Sequence, residues 1–334
     1  MRVLVIGGTG FIGPHVLGTL AGEGHEITVY HRGEHEAELP TGVRHVHDPG
    51  AGIPVRHFPA SLLEPAPEVV LHMFPVGEDD ATALVARFRG VARRVVAISS
   101  GDVYRAYGRL IGTEPGPPEP VPIGEGAPLR TVFYPHRRDG ADPAAWTYGY
   151  EKILAEQVLH AEPRLPATIL RLPAVFGPGD HYHRFRPYIK RMLDGRPRIL
   201  LDARLARWRW THGYVEDVAH AIALAVTSEG ATGRTYNVGE AETPTMEARV
   251  KALAEAAGWS GTIEVVPSGR TPAHLRAPFA TAQDLVVDTR RAREELGWEE
   301  TVATEAALAR TIAFEAGTEW ATGDPTAEMY AEER

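Results

Sequence analysis

The first thirty residues are the part of this chain that most constrains its fold. An apolar run over residues 2–6 leads directly into the glycine-rich stretch 7–13, and apolar side chains at helical spacing follow as far as Leu20. Two glycines end this pattern, and residues 26–30 form a second run rich in β-branched side chains. The sequence therefore predicts a strand, a glycine turn, a helix and a second strand, which together begin a parallel α/β sheet.

The glycine turn is suited to binding a dinucleotide. Glycine has no Cβ, so the backbone amides and the helix N-terminus can approach a pyrophosphate closely. A merely tight turn is the simpler interpretation, but a glycine turn between a strand and a helix is the context that a dinucleotide site requires. The predicted cofactor-binding residues of this turn are Gly7, Gly10, Phe11, Ile12 and Gly13.

The end of the second predicted strand indicates which dinucleotide is bound. NAD sites commonly carry an acidic residue there, which holds the ribose hydroxyls. This strand instead ends in Val29-Tyr30-His31-Arg32, with no acid in place. Arg32 can pair with a 2′-phosphate, so the sequence favours NADP over NAD. Stacking on adenine or simple exposure to solvent are the alternatives for this arginine.

Length, cysteine content and charge indicate which classes of protein this chain can belong to. The chain has 334 residues, 43% of them hydrophobic, so it can bury a sizeable core. The lack of cysteine excludes disulfides and thiolate metal sites, and a formal charge of -9 argues against nucleic-acid binding. The apolar run at the N-terminus is too short for a signal peptide or a membrane span. We expect a cytoplasmic enzyme that binds neither membrane nor nucleic acid and acts on a small molecule.

Polar side chains follow one of the strands predicted for the middle of the sheet. Residues 68–74 and 94–99 are apolar, β-branched runs typical of buried parallel strands. Ser100 and Asp102 come directly after the second run. The carboxyl ends of parallel strands are where doubly wound sheets bind ligands, so these two side chains are candidates for a functional site.

Lys152 is one of only three lysines in the chain, and it lies four residues after Tyr148. This spacing places a phenol and an ammonium on one face of a helix, where the ammonium favours the phenolate form. For these two residues alone, a surface pair of an aromatic ring and a lysine is the simpler alternative.

Several motifs occur along the chain in one order. They are the N-terminal glycine turn, Ser99-Ser100-x-x-Val103-Tyr104, Tyr148-x-x-x-Lys152, Arg171-Leu172-Pro173 followed by Gly177-Pro178-Gly179-Asp180, and the segments 214–219, 235–239 and 294–298. In this order the motifs resemble the extended short-chain dehydrogenase/reductase superfamily, in particular its NAD(P)-dependent epimerase/dehydratase family. The likeness spans about residues 1–315.

The resemblance implies a catalytic triad of Ser100, Tyr148 and Lys152. It also implies that Lys152 bonds the nicotinamide ribose, that Ser99 and Tyr148 contact the cofactor, and that Ser100 orients the substrate oxygen. Tyr148 would then move the proton that accompanies hydride transfer. Asp102 stands where sugar-nucleotide dehydratases of the superfamily carry an acid. It is either a second acid/base or a residue that stabilises its loop.

The segments expected to contact substrate depart from those of the sugar-nucleotide enzymes. Residues 173–174 replace the usual asparagine, and the arginines that usually hold a diphosphate are incomplete, which disfavours a UDP- or dTDP-sugar. The predicted substrate-binding residues are Ser100, Asp102, His181, Arg184, Arg186 and Arg209. A surface position is the alternative for segment 181–186. Because its histidines have no evident carboxylate partner, no metal ligand is predicted.

The sequence thus predicts an α/β fold with a Rossmann-type doubly wound parallel sheet and a smaller C-terminal α/β substrate lobe. The expected divisions are residues 1–176 with 212–240 for the NAD(P)-binding domain, 177–211 with 241–320 for the lobe, and 321–334 for a tail. Residues 112–128, with six prolines and four glycines, form either a lid or a plain surface loop. The fold also allows a homodimer through the helix predicted around Tyr148, by analogy only.

The expected function is hydride transfer at a hydroxyl or carbonyl carbon of a small polar, sugar-like substrate by an NAD(P)-dependent oxidoreductase or epimerase. One alternative is an NADPH-dependent carbonyl reductase that exchanges its cofactor at each turnover. Another is a non-catalytic nucleotide-sensing protein on the same fold. Such relatives tend to lose the tyrosine or the lysine, whereas this chain has both.

Overall fold

A seven-stranded sheet lies at the centre of the molecule. The computed structural model describes residues 1–34, 36–137, 140–319 and 324–333. Its strands are β1 (Arg2–Ile6), β2 (Glu26–His31), β3 (Arg44–His47), β4 (Val69–His72), β5 (Arg94–Ser100), β6 (Ala167–Leu172), β7 (Ala174–Phe176), β8 (Arg198–Asp202), β9 (His212–Tyr214), β10 (Thr235–Asn237) and β11 (Thr262–Val266). Every pairing within the central sheet is parallel, as the apolar runs predict.

The order of strands across the sheet is β3-β2-β1-β4-β5-β6-β10. The chain first builds outward from β1 to β3, then returns to the other side of β1 and builds outward from β4. This reversal opens a crevice beyond the carboxyl ends of β1 and β4, where such folds bind ligands. The predicted Rossmann-type doubly wound sheet is confirmed.

Helices cover both faces of the sheet. They are α1 (Gly13–Gly22), α2 (Glu78–Phe88), α3 (Arg105–Ile111), α4 (Lys152–His160), α5 (Arg186–Leu193), α6 (Ala203–Arg207), α7 (Val215–Thr227), α8 (Met246–Ala256), α9 (Arg290–Leu296), α10 (Thr304–Gly317) and α11 (Ala327–Glu332). α1 and α7 pack together on one face, and α2 and α4 pack together on the other. Strands buried on both faces explain the continuous apolar runs in the sequence.

A smaller unit lies beside the sheet. It is built on the parallel pair β8 and β11, against which α6 packs, while α5, α8 and α10 pack on one another. A second short parallel pair, β7 with β9, lies between the returning segments of the chain. This arrangement has the form of the expected lobe.

Residues 324–333 of the predicted C-terminal tail pack against this lobe. Asp324 accepts a hydrogen bond from Arg186 Nε at 2.7 Å, and Glu333 accepts one from Arg191 Nε at 2.9 Å. Both arginines lie on α5 and are buried, so they require carboxylate partners. Residues 321–323 and 334 of the predicted tail lie outside the described residues.

Residues 112–128 are held firmly by their surroundings. Ile123 is buried, and its amide donates to Val286 O at 2.7 Å. The Asn237 amide, at the end of β10, donates to Glu125 Oε1 at 3.0 Å, and Arg105 donates to Glu119 at 2.7 Å. These contacts anchor the segment to α3, to β10 and to Val286, while residues 115–118 and 120 are exposed on the surface. None of the helices in the described part of the chain has the length and apolar character needed to cross a membrane.

Candidate active site

The predicted glycine turn connects β1 to α1 and has the geometry of a phosphate cradle. Gly7 and Gly8 have φ angles of +80° and +94°, which favour glycine. A Cβ on Gly13 would lie 2.1 Å from Gly8 O, so the turn closes on itself only because that atom is absent. A Cβ added to Gly10 would have no atom of the described residues within 4 Å, so this glycine faces open space.

The N-terminus of α1 lies at this turn, where the Gly13 amide donates to Gly10 O at 3.1 Å and Pro14 has no N–H. The N-cap residue of this helix is Ile12, whose side chain offers no hydrogen bond to the helix amides. The first turn contains no acidic residue. The positive end of the helix dipole favours an anion at this position. The turn therefore leaves open space at the place where the sequence predicts the pyrophosphate of a dinucleotide.

Lys152 is buried where the carboxyl ends of β4 and β5 meet. Its Nζ donates to Pro75 O at 2.6 Å and to Ile98 O at 3.0 Å. Burial lowers the pKa of Lys152 to about 8, although the nearby carboxylates of Asp102 and Asp80 act in the opposite direction. These carbonyls occupy two of its three N–H donors, so the third can hold a ribose hydroxyl.

Tyr150, which the sequence pattern does not single out, lies at the centre of the site. Its hydroxyl donates to Asp102 Oδ2 at 2.7 Å, and the Ser100 hydroxyl is also within hydrogen-bonding reach. The imidazole of His136 packs against the Tyr150 ring with a centroid separation of 5.2 Å. The motif Tyr-x-x-x-Lys points to Tyr148 and Lys152, whereas Tyr150, which lies between them, makes the hydrogen bond to Asp102.

The carboxyl group of Asp102 is buried and only partly satisfied. Within the described part of the chain, its Oδ1 has no hydrogen-bond partner. Burial raises the pKa of Asp102, while the Tyr150 hydroxyl and the cationic side chain of Arg130 oppose that shift. Burial and the facing Asp102 carboxylate together hold the pKa of Tyr150 well above its usual value. The pair therefore retains a proton on the phenol at neutral pH.

Tyr148 occupies a different environment. It lies in a short 3-10 turn, Trp146–Gly149, and α4 begins only at Lys152, so the prediction that the two share a helical face is wrong. Its ring faces the guanidinium of Arg137 at 4.6 Å. No described residue forms a hydrogen bond with the Tyr148 hydroxyl, so this phenol is available to a ligand.

The late start of α4 has a physical cause. The Glu151 side chain caps the helix by accepting from the Ile153 amide at 3.1 Å. The same carboxylate also accepts from Arg130 Nη2 at 2.9 Å and from the Tyr134 amide at 2.6 Å, all in a buried environment. These contacts hold Glu151 in an extended conformation, so α4 cannot begin before Lys152.

Ser99 was predicted to contact the cofactor, but its side chain points to the opposite side of the sheet from Ser100. Its hydroxyl donates to the buried carboxylate of Glu156 on α4. That carboxylate is also bonded by Arg171, at 2.6 Å from Nη2 and 3.0 Å from Nε. Alternation along β5 explains the difference, because successive side chains face opposite sides of a strand.

Arg32 lies directly after β2, at the rim of the crevice. Its Nη2 pairs with Glu34 Oε2 at 2.7 Å, and both side chains are partly exposed. The guanidinium therefore lies in the region expected of an adenosine-binding group, with a neighbouring carboxylate as its present partner.

Segment 177–184 lies over the glycine turn. A Cβ on Gly179 would lie 3.3 Å from the Phe11 ring, and the His181 ring is 6.4 Å from that ring. Arg184 donates to Asp180 and to Val175 O, both at 2.8 Å. The structure thus places His181, of the predicted substrate segment, beside Phe11, of the predicted cofactor turn.

Two of the predicted substrate arginines are committed elsewhere. Arg186 is buried, and its guanidinium is bonded by Glu315, Asp324 and backbone carbonyls, so it contributes to packing of the lobe. Arg209 forms a two-point contact with Asp284, with both distances at 2.9 Å. Sequence alone could not reveal these partners, which lie 75 and 138 residues away along the chain.

Two partly exposed aromatic side chains lie near the buried Lys152. Phe74, after β4, and Trp146 pack edge to face with centroids 5.1 Å apart, and both rings are partly open to solvent. Lys152 Nζ lies 4.9 Å from the centroid of the Phe74 ring. Sequence patterns offer little indication of this rim, since the two residues are 72 positions apart.

Comparisons with known proteins agree with this architecture. The model of the NAD dependent epimerase/dehydratase family matches residues 82–239. A 3-diazoavenalumate denitrifying reductase of Streptomyces sp is 29% identical over 324 residues, which cover 90% of this chain and 96% of that protein. A 2′-dehydrokanamycin reductase of Streptomyces kanamyceticus is 27% identical over 244 residues, which cover 70% of this chain and 60% of that protein.

Solved structures show the same fold at low sequence identity. The UDP-glucose 4-epimerase of Thermotoga maritima, solved with UDP-glucose, has a TM-score of 0.65 at 21% identity, with 94% of this chain and 98% of that chain covered. The UDP-glucose 4-epimerase of Thermus thermophilus, solved with NAD, has a TM-score of 0.63 at 24% identity, with 95% and 99% covered.

The fold and the site define an NAD(P)-dependent enzyme of the short-chain dehydrogenase/reductase type. Within that class, the chain resembles the NAD-dependent epimerase/dehydratase family, whose model matches residues 82–239, as the order of its motifs predicts.

Proposed function

We propose that the protein is an NAD(P)H-dependent carbonyl reductase that acts on a small polar, sugar-like substrate, with Tyr148 as the proton donor. The observation that carries the proposal is the position of Lys152. Its ammonium is buried between the ends of β4 and β5 and close to Asp102, and Tyr148, whose hydroxyl no described residue bonds, lies four residues earlier in the chain.

The reductive direction is supported by the two curated relatives, both of which are named reductases. A reductase must release its oxidised cofactor after each turnover. Arg32 and Glu34 lie on the partly exposed rim of the crevice, which is compatible with exchange of the cofactor.

Each side chain has a distinct task in this proposal. The third N–H of Lys152 holds a hydroxyl of the nicotinamide ribose, and the Ser100 hydroxyl orients the substrate oxygen. A bound reduced nicotinamide supplies the hydride. Tyr148 donates a proton to the oxygen of the carbonyl group that is reduced.

The cofactor preference rests on Arg32. A guanidinium can form two parallel hydrogen bonds with a 2′-phosphate, and no acidic residue ends β2 to hold ribose hydroxyls instead. We therefore propose NADP in preference to NAD. Glu34 competes for the same guanidinium and would have to turn away when a phosphate binds.

Asp102 supports a second candidate function, epimerase or dehydratase chemistry. Its Oδ1 is buried and unpartnered among the described residues, and burial raises its pKa. A protonated carboxyl group in that position can act as a second acid beside Tyr148. In this case the bound cofactor would be reduced and then reoxidised within one catalytic cycle, so no net cofactor would be consumed.

Cofactor stoichiometry separates the two candidates. The purified enzyme would be incubated with NADPH and a panel of keto sugars and other small polar carbonyl compounds, while absorbance of NADPH and product formation are followed. The reductase proposal predicts one equivalent of alcohol for each NADPH consumed. Substrate conversion without net NADPH consumption, by a protein purified with tightly held cofactor, would instead establish the second candidate.

Cofactor binding without any turnover would contradict both the reductase and the epimerase or dehydratase candidates. If the protein binds NADPH but converts none of the compounds, and Tyr148→Phe leaves its properties unchanged, the chain acts as a nucleotide sensor. Dinucleotide binding measured separately from turnover distinguishes this outcome from a misfolded preparation.

A further inference from the structure

We propose that His31, Glu36, His45 and His47 form a binding site for a single divalent transition-metal ion of the zinc class. The site lies at the edge of the central sheet, away from the Tyr148 and Lys152 side chains. It does not depend on the reductase proposal.

The sheet itself brings the three histidines together. β2 and β3 pair in parallel, with His31 opposite His47 and Val29 opposite His45. Side chains at alternate positions of a strand share a face, so His45 and His47 project on the same side of β3 as His31 does on β2. The three imidazole rings lie with centroid separations of 4.4 Å to 5.6 Å.

The candidate ligand atoms have separations suited to one ion. One atom from each of the four residues can be chosen so that all lie within 4.8 Å of one another. His31 Nε2 is 3.0 Å from His45 Nδ1, and Glu36 oxygens lie 2.9 Å from His47 Nε2 and 3.8 Å from His45 Nδ1. A tetrahedral ion with ligands at about 2.0–2.1 Å has ligand atoms about 3.4 Å apart. The observed distances bracket that value.

The donor set identifies the class of ion. Three imidazoles and one carboxylate are typical ligands of Zn²⁺ and of neighbouring first-row ions, whereas Mg²⁺ and Ca²⁺ prefer oxygen. His31 is buried at 7% exposure, while His47 and Glu36 are about half exposed. The cluster is therefore anchored on its inner side and open to an ion from solvent on its outer side.

The sequence positions of the ligands give the ion a structural consequence. Glu36 belongs to the connection between β2 and β3, and the other three ligands belong to the strands themselves. A bound ion would fasten this connection to β2 and to the edge strand β3. Its effect should therefore appear as added stability of the folded chain.

The same contacts have an interpretation without metal. A hydrogen bond between neutral imidazoles accounts for the 3.0 Å contact of His31 with His45, and an ion pair accounts for the contact of Glu36 with His47. The two interpretations differ in whether Zn²⁺ binds stoichiometrically, which makes metal titration the deciding experiment.

The test uses the full-length protein without a histidine tag, stripped with a chelator and then dialysed. Zn²⁺ binding is measured by isothermal titration calorimetry, and Co²⁺ serves as an absorption probe of tetrahedral coordination. We expect one equivalent of Zn²⁺, a higher Tm when it binds, and a tetrahedral Co²⁺ spectrum. The double variant His45→Gln/His47→Gln should bind Zn²⁺ at least about 100-fold more weakly.

His57→Gln is the matched control, because His57 is an exposed histidine of the same region outside the cluster. It should bind Zn²⁺ like the wild type. Glu36→Gln, at an exposed position, keeps the fold and should weaken binding by about tenfold or more even if the double variant fails to fold. Substoichiometric Zn²⁺ uptake by the wild type, or equal affinities for wild type and Glu36→Gln, would overturn the proposal.

Discussion

The Tyr150 hydroxyl donates a 2.7 Å hydrogen bond to Asp102 Oδ2, while no described residue bonds the hydroxyl of Tyr148, two positions earlier. Two neighbouring tyrosines thus have opposite surroundings. Burial and the facing carboxylate raise the pKa of Tyr150 well above its usual value, so it retains its proton. Tyr148 has its hydroxyl free for a substrate oxygen. The contrast is a direct basis for assigning their roles.

Exchanging each tyrosine for phenylalanine tests this assignment. Tyr148→Phe should lower kcat by roughly 100-fold to 10,000-fold, because it removes the proposed proton donor, and leave the Kd for the dinucleotide unchanged. Tyr150→Phe should retain most of kcat and alter its pH dependence, since Asp102 loses its hydroxyl partner. Steady-state kinetics across pH, with cofactor binding followed by fluorescence, measures both effects. Full turnover by Tyr148→Phe, with Tyr150→Phe inactive, would transfer the role to Tyr150.

Lys152 should make stability rise with pH in the alkaline range. Its pKa is about 8 in the folded protein against 10.5 in the unfolded chain. Between these values the unfolded chain binds more protons, so the free energy of unfolding increases with pH. Below pH 8 the cost of the buried ammonium is fully present, and above 10.5 it is absent. The total rise attributable to Lys152 is roughly 3 kcal/mol.

Urea unfolding at about pH 8, 9 and 10 measures that rise. The buried-lysine variant Lys152→Met should lack it, so the difference in stability between wild type and variant should change across these pH values. Lys251→Met is the matched control, because Lys251 is exposed on α8. Parallel stability curves for wild type and Lys152→Met would show that Lys152 has no lowered pKa.

The glycines around α1 should separate cofactor binding from folding. Gly10→Ala places a methyl group in open space, so stability should change by less than about 0.5 kcal/mol, while dinucleotide affinity falls about tenfold or more because the methyl group faces the cradle. Gly13→Ala should impair both properties, since its Cβ would lie 2.1 Å from Gly8 O.

Gly18→Ala serves as the control for these two variants. Gly18 lies within α1 with nothing within 4 Å of its Cβ position, so alanine should stabilise the protein by about 0.5–1 kcal/mol and leave affinity unchanged. Thermal denaturation and titration with NADPH provide the two measurements. Normal affinity in Gly10→Ala would place the pyrophosphate elsewhere.

The buried ion pair of Glu156 with Arg171 should contribute far more to stability than an exposed pair. Glu156→Gln leaves Arg171 without a carboxylate in a buried site and should lower the free energy of unfolding by about 3–5 kcal/mol. Glu264→Gln breaks the exposed pair with Arg198 and should change it by less than about 1 kcal/mol. Denaturant titration of both variants measures the difference. Equal small losses would show that Arg171 is satisfied without Glu156.

Arg32 and Glu34 should have opposite effects on cofactor choice. Arg32→Ala should weaken NADPH binding about tenfold with little effect on NADH, because it removes charge-assisted bonds to the 2′-phosphate. Glu34→Gln should strengthen NADPH binding, since Arg32 no longer pairs with that carboxylate. Affinities for NADPH and NADH, measured side by side, test the pair. Equal losses for both cofactors in Arg32→Ala would contradict the preference for NADP.

Local sequence patterns were sufficient where the fold depends on neighbouring residues. The strand predicted for residues 2–6 coincides with β1, and the one predicted for 94–99 differs from β5 by one residue. The start of α4 was missed by a full turn, because its cap depends on Glu151 being held by Arg130 from 21 residues earlier. No spacing rule along the chain reports such a contact.

The parallel sheet, the glycine cradle and the likeness to the epimerase/dehydratase family could all be read from the amino-acid sequence. The first two follow from apolar runs or glycines within short segments, and the third follows from the order of motifs along the chain. The folded structure was needed to show that Tyr150 bonds Asp102, that Arg186 is occupied by Glu315 and Asp324, and that three histidines meet at the sheet edge. These contacts join residues far apart in the chain, so their energies depend on burial and distance that a linear pattern does not contain.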